Sequence, residues 1–229
     1  MSTVAIIPAR GGSKRIPRKN IRSFLGKPII GYVIETAIQS GLFSEVMVST
    51  DDVEIADVAR HYGATVPFLR RAETADDFAT TADVLHDVLD QYERRGQTFD
   101  YACCLYPTAP FITPDLLRRA FVTLTERQFD TVYPVQRFSF PIQRAVRLVG
   151  DKADWFQPEH ALTRSQDLEP AYHDAGQFYF FDVDAFRVNH RLISDNTGGI
   201  VISEMEAHDI DTETDWAVAE FKWRVVLKK

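Results

Sequence analysis

The sequence predicts one α/β domain in which a mostly parallel sheet is flanked by helices. Short apolar runs rich in β-branched and aromatic residues alternate with segments of helical period, which is typical of consecutive β-α-β units. A chain of 229 residues with 45% hydrophobic content can bury one large core. Because no Ser/Gly-rich linker divides it, we treat residues 1–229 as a single domain with an irregular elaboration at about 136–200.

The strands are predicted from short apolar runs that end at turn-forming or charged residues. The regular part of the chain contains such runs near residues 3–8, 45–50, 65–69, 100–106 and 130–135. From about residue 136, prolines and aromatic residues replace the regular alternation, and GQFYFF (176–181) is a further short strand. The elaboration is therefore predicted to be rich in β-structure.

The helices are predicted from apolar residues at three- and four-residue spacing. The first three lie near residues 30–38, 53–62 and 81–94. Thr113-Pro114-Asp115 marks the start of the next helix, with an N-cap residue, a proline in the first position and an acid in the first turn. Thr212 and Asp215 resemble a capping box, so the last helix is predicted to begin there.

Composition excludes several classes of partner. The balance of 26 Lys/Arg against 33 Asp/Glu argues against broad electrostatic binding of nucleic acid or of an anionic membrane. No run approaches the ~18 apolar residues of a membrane helix, and no signal peptide precedes Arg10. Cys103 and Cys104 are adjacent, so they form neither a disulfide framework nor a zinc site. We expect a cytoplasmic protein with two buried thiols.

The stretch PARGGSKRIPRKN, here named the basic loop (residues 8–20), follows the first predicted strand. Parallel α/β sheets bind ligands at this position, beyond the carboxyl end of a strand. Gly11 and Gly12 allow a tight turn whose N–H groups can approach an anion. Three cations add positive charge: Arg10, Lys14 and Lys19. The loop lacks GxxxxGK[ST] and GxGxxG, so it predicts a phosphate site of another type, with a solvated basic turn as the alternative.

Three acids are candidates for metal binding. Asp209 and Asp211 alternate along an extended segment, which directs both side chains to the same side. Such a pair suits Mg²⁺, which commonly takes one or two carboxylates together with substrate phosphates, although an acidic turn before the Thr212 helix is the alternative. Asp51 follows the second strand and either assists metal or substrate or caps the helix that begins near Val53.

These motifs resemble those of a known family. Residues 7–20, IPARGGSKRIPRKN, resemble the nucleotide-binding signature of the cytidylyltransferases that activate sialic acids and related nonulosonic acids, and Arg15 and Arg18 occupy its variable positions. Further matches follow in the same order: Ser49-Thr50-Asp51, Pro107-Thr108-Ala109-Pro110 and Asp209-Ile210-Asp211-Thr212. The resemblance covers nearly the whole chain. It implies a Rossmann-like nucleotidyltransferase fold and a homodimer formed through the irregular middle portion.

The resemblance also implies a reaction that uses Mg²⁺ or Mn²⁺. CTP and a nine-carbon nonulosonic acid would give a CMP-sugar and pyrophosphate, chemistry that depends on positioning and charge stabilisation. The catalytic candidates are Arg10, Lys14, Lys19 and Asp211, and the metal candidates are Asp209 and Asp211. The nucleotide-binding candidates are Ala9, Arg10, Gly11, Gly12, Asn20, Asp77, Thr80, Thr81, Pro107 and Thr108. Thr80 or Thr81 also suits a helix N-cap, and no residue stands out as the general base.

Residues 163–179, TRSQDLEPAYHDAGQFY, carry the donors, acceptors and aromatic faces that an acidic sugar requires. The sugar-binding candidates are Tyr106, Arg144, Arg164, Gln166, Asp167, His173, Asp174 and Gln177, and the two arginines suit a carboxylate. The block resembles pseudaminic acid cytidylyltransferases more than sialic acid enzymes. The latter carry Gln and Asn where this chain has Tyr106 and Ala175. Pseudaminic acid is therefore the predicted acceptor, with legionaminic and sialic acids as alternatives.

Two alternative functions outside the cytidylyltransferases stay open. A glycosyltransferase that consumes a nucleotide sugar also uses an Asp-x-Asp pair, but its pair would normally follow a middle strand rather than lie near residue 210. A catalytically silent nucleotide-binding module is the other alternative. The combination of a metal pair with a basic loop argues against it.

Overall fold

The computed structural model describes residues 1–71 and 79–226. Its strands are β1 (Thr3–Pro8), β2 (Ser23–Phe24), β3 (Lys27–Pro28), β4 (Glu45–Ser49), β5 (Tyr101–Leu105), β6 (Thr131–Arg137), β7 (Val146–Val149), β8 (Lys152–Trp155), β9 (Tyr172–Asp174), β10 (Phe178–Asp182) and β11 (Thr197–Ile202). The α-helices are α1 (Ile29–Ser40), α2 (Val53–His61), α3 (Thr81–Glu93), α4 (Pro114–Arg127), α5 (Val183–Asn189) and α6 (Glu213–Val226).

Seven strands form the central sheet, in the order β11-β6-β10-β5-β1-β4, with β9 paired to β6. β1 is parallel to β4 and β5, and β11 is parallel to β6. β10 is antiparallel to both β5 and β6, so those two strands share a direction. Five strands therefore run one way, with β9 and β10 opposed to them, and the predicted mostly parallel α/β sheet is confirmed.

The sheet is buried on both faces. Successive residues of β1 belong to different core clusters, Ala5 on one face and Ile6 on the other, as the alternation of side chains along a strand requires. Cys103 and Cys104 divide between the same two faces. Both are free, and burial raises the pKa of the Cys104 thiol to about 12. The prediction of two buried thiols is confirmed.

The helix starts follow their capping residues. The Thr113 side chain accepts a hydrogen bond from the N–H of Leu116, and Pro114 opens α4. At α6, Thr212 accepts from the N–H of Asp215, whose carboxylate accepts from the N–H of Thr212 in return. This reciprocal pair is the predicted capping box, and it satisfies N–H groups that the first turn of a helix leaves without partners.

The predicted strand at 65–69 is wrong. Thr65 forms one isolated bridge to Met47, and the segment then leaves the sheet. Pro67 has no N–H to donate to a ladder, which explains why the apolar run does not continue as a strand. The sequence reading also missed β11, where Gly198 and Gly199 interrupt the apolar pattern from which strands are recognised.

The middle of the chain divides into two parts. Residues 172–202 return to the central sheet through β9, β10 and β11. Residues 140–170, here named the arm, carry the separate β7–β8 hairpin and large exposed apolar side chains, among them Phe140 and Leu148. Across residues 1–71 and 79–226, no helix is long and apolar enough to span a bilayer.

Candidate active site

The carboxyl ends of β1 and β5 border a cavity of about 540 Å³, here named the basic cavity. Its lining residues are Pro8, Arg10, Ser13, Lys14, Arg15, Ile16, Lys19, Asn20, Tyr106, Pro107, Thr108, Asp209 and Asp211. The structure thus brings all four catalytic candidates and both metal candidates to one cavity. This edge of the sheet is where parallel α/β folds bind ligands.

Glycine is required at position 11 because the backbone there passes close to the loop that follows β4. Its N–H donates to Asp51 Oδ1 at 2.9 Å, and a Cβ at this position would lie 2.8 Å from Asp52 Oδ2. A Cβ on Gly12 would meet no described atom within 4 Å. Asp52, rather than Asp51, caps α2 by accepting from the N–H of Ile55 at 3.0 Å. Asp51 instead holds the basic loop.

Two arginines at the variable positions of the loop form ion pairs. Arg18 contacts both carboxylate oxygens of Asp52, and this hydrogen bonding lowers the pKa of that carboxyl group despite its partial burial. Arg15 lies 2.9 Å from Asp211 Oδ1 and lines the basic cavity. Their variable positions in the motif suggested no role for either residue, whereas the structure gives each a carboxylate partner from a distant part of the chain.

Lys19 joins the basic loop to the Asp209–Asp211 segment. Its Nζ donates to the carbonyl oxygen of Ile210 at 2.7 Å and lies 3.4 Å from Asp211 Oδ1. Beneath this contact, Ile16 and Ile210 are fully buried in one cluster with Trp216 of α6. Each such side chain contributes about 1.5–3 kcal/mol by burial. Apolar packing therefore holds together two segments that are far apart in sequence.

The acidic pair has the donors that a hard divalent cation needs. Asp209 and Asp211 both line the basic cavity, and burial together with the nearby Asp211 carboxylate raises the pKa of Asp209. A bound cation would relieve that repulsion. Among the described residues, no group of three or more metal-ligating side chains occurs. The pair thus fits Mg²⁺, which takes its remaining ligands from phosphates and water.

Four nucleotide-binding candidates lie where the loop meets the sheet. Ala9 is buried, and its N–H donates to the carbonyl oxygen of Ser49 at 2.9 Å. Asn20 is also buried, and its Nδ2 donates to the carbonyl oxygen of Arg10 at 2.9 Å, so it shapes the loop from beneath. Pro107 and Thr108 line the opposite wall of the basic cavity.

The remaining nucleotide candidates lie at the start of α3. Thr80 is the N-cap and forms a capping box with Asp83, which resolves the choice between Thr80 and Thr81. Burial raises the pKa of Tyr106, which lines the basic cavity. Neither Thr80 nor Thr81 is among the residues that line this cavity. Asp77 lies outside the described residues.

Further contacts connect this wall to Asp174. The rings of Tyr106 and Tyr179 pack edge to face with 5.8 Å between their centroids, and the Tyr179 hydroxyl donates to Asp174 Oδ2. Asp174 Oδ1 accepts from the N–H of Gly176 at 2.8 Å. Sequence reasoning placed Tyr179 in a strand and gave it no role. Its only signal was a polar hydroxyl within the apolar run GQFYFF.

A second cavity of about 590 Å³, here named the adjoining cavity, shares Asp209 with the basic cavity. Its lining residues are Gln136, Arg137, Phe138, Ser139, His173, Asp174, Ala175, Glu204, Ala207, His208, Asp209 and Lys222. Two sugar candidates, His173 and Asp174, are among them. Gln177 is buried and donates to the carbonyl oxygen of Glu206 at 2.6 Å, while its Oε1 has no hydrogen-bond partner in the described part of the chain.

Five of the eight sugar candidates line neither cavity: the buried Gln177 and four residues of the arm. Arg144, Arg164, Gln166 and Asp167 are exposed at two 3-10 turns of the arm, Ile142–Arg144 and Ser165–Asp167. Their side chains point into solvent because the arm contributes little to the core of its own chain. Polar composition predicted a sugar site here, but it carried no information on distance from the phosphate site.

Comparison with known proteins identifies the family of this chain. A family model described as "Cytidylyltransferase" matches residues 4–208. A Campylobacter jejuni protein named pseudaminic acid cytidylyltransferase is 42% identical over 98% of this chain and 97% of its own length. A Legionella pneumophila protein named CMP-N,N'-diacetyllegionaminic acid synthase is 36% identical over 96% of this chain and 95% of its own length.

The fold agrees with that of a solved structure. A CMP:2-keto-3-deoxy-manno-octonic acid synthetase complexed with CTP has a TM-score of 0.72 and 18% identity, and the match covers 100% of both chains. At this identity the likeness supports the fold alone. The family match, together with 42% identity to a curated relative over nearly the whole chain, shows that this chain belongs to the cytidylyltransferase family, a class of nucleotidyltransferases.

Proposed function

We propose that this protein forms CMP-pseudaminic acid and pyrophosphate from CTP and pseudaminic acid, a step of nonulosonic acid biosynthesis. The observation that carries the proposal is the basic cavity, where loop cations and a carboxylate pair open on one space. The 42% identical relative that bears the name of this activity supports the choice of acceptor. Residues 1–229 would act as one catalytic unit.

The chain's own groups account for the charge movement of the reaction. The C2 hydroxyl of the acceptor would attack the α-phosphorus of CTP and release its proton to water, so that an O–P bond forms, the α–β phosphoanhydride bond breaks and pyrophosphate leaves. Arg10, Lys14 and Lys19 would neutralise the charge that develops on the phosphates. Lys19 is pre-positioned by its bond to Ile210, so little rearrangement is needed at that site.

Asp209 and Asp211 would hold Mg²⁺ or Mn²⁺ in this cavity. When bound, the cation would supply positive charge to the phosphate oxygens and help to orient them. The two carboxylates suit this role because they face a space that otherwise carries mostly positive side chains. Arg15 and Lys19 pair with Asp211 and fix its orientation.

We assign the selection of the acceptor sugar to residues between the basic cavity and the adjoining cavity. Tyr106 occupies the position of the sialic acid enzymes' Gln, and its ring packs against Tyr179, whose hydroxyl donates to Asp174. Ala175 removes the amide that those enzymes present. A legionaminic acid is the second candidate, because the Legionella relative that carries that name is 36% identical.

The enzyme is proposed to be a cytoplasmic homodimer assembled through the arm. Leu148 is 72% exposed and Phe140 is 82% exposed, and large apolar side chains of this kind favour a protein contact. Arg164 lies outside the cavities of its own chain, so its predicted sugar contact would be made in the adjoining cavity of the second copy. Two reduced thiols suit a cytoplasmic location.

The test combines CTP with a panel of nonulosonic acids and scores pyrophosphate release with and without Mg²⁺. Pseudaminic acid should react faster than legionaminic or N-acetylneuraminic acid, and chelation should stop the reaction. Replacement of CTP by UTP tests the base. If no nonulosonic acid leads to release of pyrophosphate from CTP, the proposed enzyme activity is refuted, and the protein would instead be a catalytically silent nucleotide-binding module. If legionaminic acid is preferred, only the acceptor assignment changes.

A further inference from the structure

The adjoining cavity contains a cation that neither the sequence motifs nor the comparisons assign. Lys222 belongs to α6, which follows the Asp209–Asp211 segment, and its side chain reaches the wall of the cavity. Lys222 as a whole is partly buried. Since the cavity shares Asp209 with the basic cavity, a ligand bound beside Lys222 would lie next to the phosphate site.

Backbone carbonyls fix the position of the Lys222 ammonium. Nζ donates to the carbonyl oxygen of Glu204 at 2.8 Å and to that of Ala207 at 3.1 Å. An ammonium has three donors, so one remains for a ligand. Both partners are neutral, and Lys222 forms no ion pair with any described residue. Burial lowers the pKa of Lys222, and the nearby Glu204 carboxylate only partly offsets that effect. A partly desolvated charge of this kind favours an anionic partner.

Gln136 and Asp174 of this cavity already have hydrogen-bond partners, whereas the buried Nε2 of His208 has none among the described residues. Asp174 accepts hydrogen bonds from Tyr179 and from the backbone, so it does not compete for Lys222. His173 lies 4.8 Å from the Phe138 ring, centroid to centroid, and the two rings form an amphipathic wall. Such a wall suits a polyhydroxylated ring with acyl substituents. Arg137 is the second cation of the cavity, and it is exposed.

We infer that Lys222 binds the carboxylate of the acceptor 2-keto sugar acid and thereby orients its C2 hydroxyl toward the shared wall at Asp209. The inference rests on the proposed function, because that function requires an acceptor with a carboxylate beside its reacting carbon. It differs from the sequence-based assignment of the carboxylate to Arg144 and Arg164, which are exposed on the arm. Lys222 is a positioning residue that acts before the chemical step.

The test measures steady-state pyrophosphate release by the full-length protein for Lys222→Met and Lys222→Gln. We expect the KM for the sugar acid to rise at least about tenfold while the KM for CTP changes less than about twofold, because only the acceptor's charge is unpaired. Arg224→Met is the matched control, because Arg224 belongs to the same helix, pairs with Glu220 and lines neither cavity; it should raise the acceptor KM less than about twofold. An unchanged acceptor KM in both Lys222 variants would overturn the inference.

A second measurement separates recognition of the carboxylate from a structural role. The sugar acid and its carboxyl methyl ester are compared in the wild type and in Lys222→Met. The wild type should favour the free acid, and the variant should lose most of that preference. A merely structural defect, or a carboxylate held by Arg164, would leave the ratio unchanged and contradict the inference. Absence of reaction in the wild type would instead refute the proposed function.

Discussion

The basic loop (residues 8–20) and the arm (residues 140–170) both attracted functional assignments from their polar composition, but they are anchored differently. Ile16 places the loop in a buried cluster with Ile210, and Gly11 is hydrogen-bonded to Asp51. Every residue of β7 in the arm is exposed. Charge and polarity therefore predict a site within one chain only where apolar residues of the same segment are buried in its core.

The largest expected effect on activity follows from loss of the contact between the basic loop and the Asp209–Asp211 pair. Asp211→Ala and Lys19→Ala should each reduce pyrophosphate release at least about 10³-fold, because each removes charge at the phosphates. Glu213→Ala is the control, since that carboxylate pairs with Arg22 and does not line the basic cavity. It should stay within about twofold of the wild type. Normal turnover by Asp211→Ala would remove the metal assignment.

The next effect tests whether the arm acts across a dimer. Arg164→Ala should lower kcat/KM for the sugar acid about tenfold without a change in CTP affinity. When this variant is mixed with Asp211→Ala chains, about a quarter of the sites should be intact, because half of the dimers are mixed and each has one complete site. The readout is pyrophosphate release after mixing. No recovery would show that Arg164 acts within its own chain or not at all.

A smaller effect concerns the fit of the loop against the sheet. Gly11→Ala should lower the free energy of unfolding by about 1–3 kcal/mol, because the new Cβ would lie within 2.8 Å of the Asp52 carboxylate. Gly12→Ala, with no described atom in range, should change it by less than about 0.5 kcal/mol. Urea unfolding without ligand measures both. Equal effects would mean that the Asp52 contact does not constrain the loop.

The smallest effect on folding is expected in the arm. Leu148→Ser should change the stability of the chain by less than about 0.5 kcal/mol, because Leu148 is 72% exposed. The same change should weaken self-association, as measured by light scattering across a concentration series. A large loss of monomer stability would show that the arm packs on its own chain. Unaltered association would place the dimer contact elsewhere.

The elements that sequence reasoning predicted correctly depend on local chemistry. Thr113 and Thr212 cap their helices because their hydroxyls accept from N–H groups three residues on. β1 was recognised because a short, uninterrupted apolar run is typical of a strand that is buried on both faces of a sheet. The strand predicted at 65–69 was wrong because the proline within this segment has no N–H to donate to a neighbouring strand.

The sequence by itself determined the α/β class, the basic loop after β1 and the identity of the acidic pair, because spacing and residue type carry these features. Only the tertiary structure decided which groups meet. It gave the helix cap to Asp52 and the loop contact to Asp51, and it placed Lys222 at the adjoining cavity and Tyr179 against Asp174 of that cavity. The reason is physical: burial of distant apolar side chains sets those distances, and no local pattern records them.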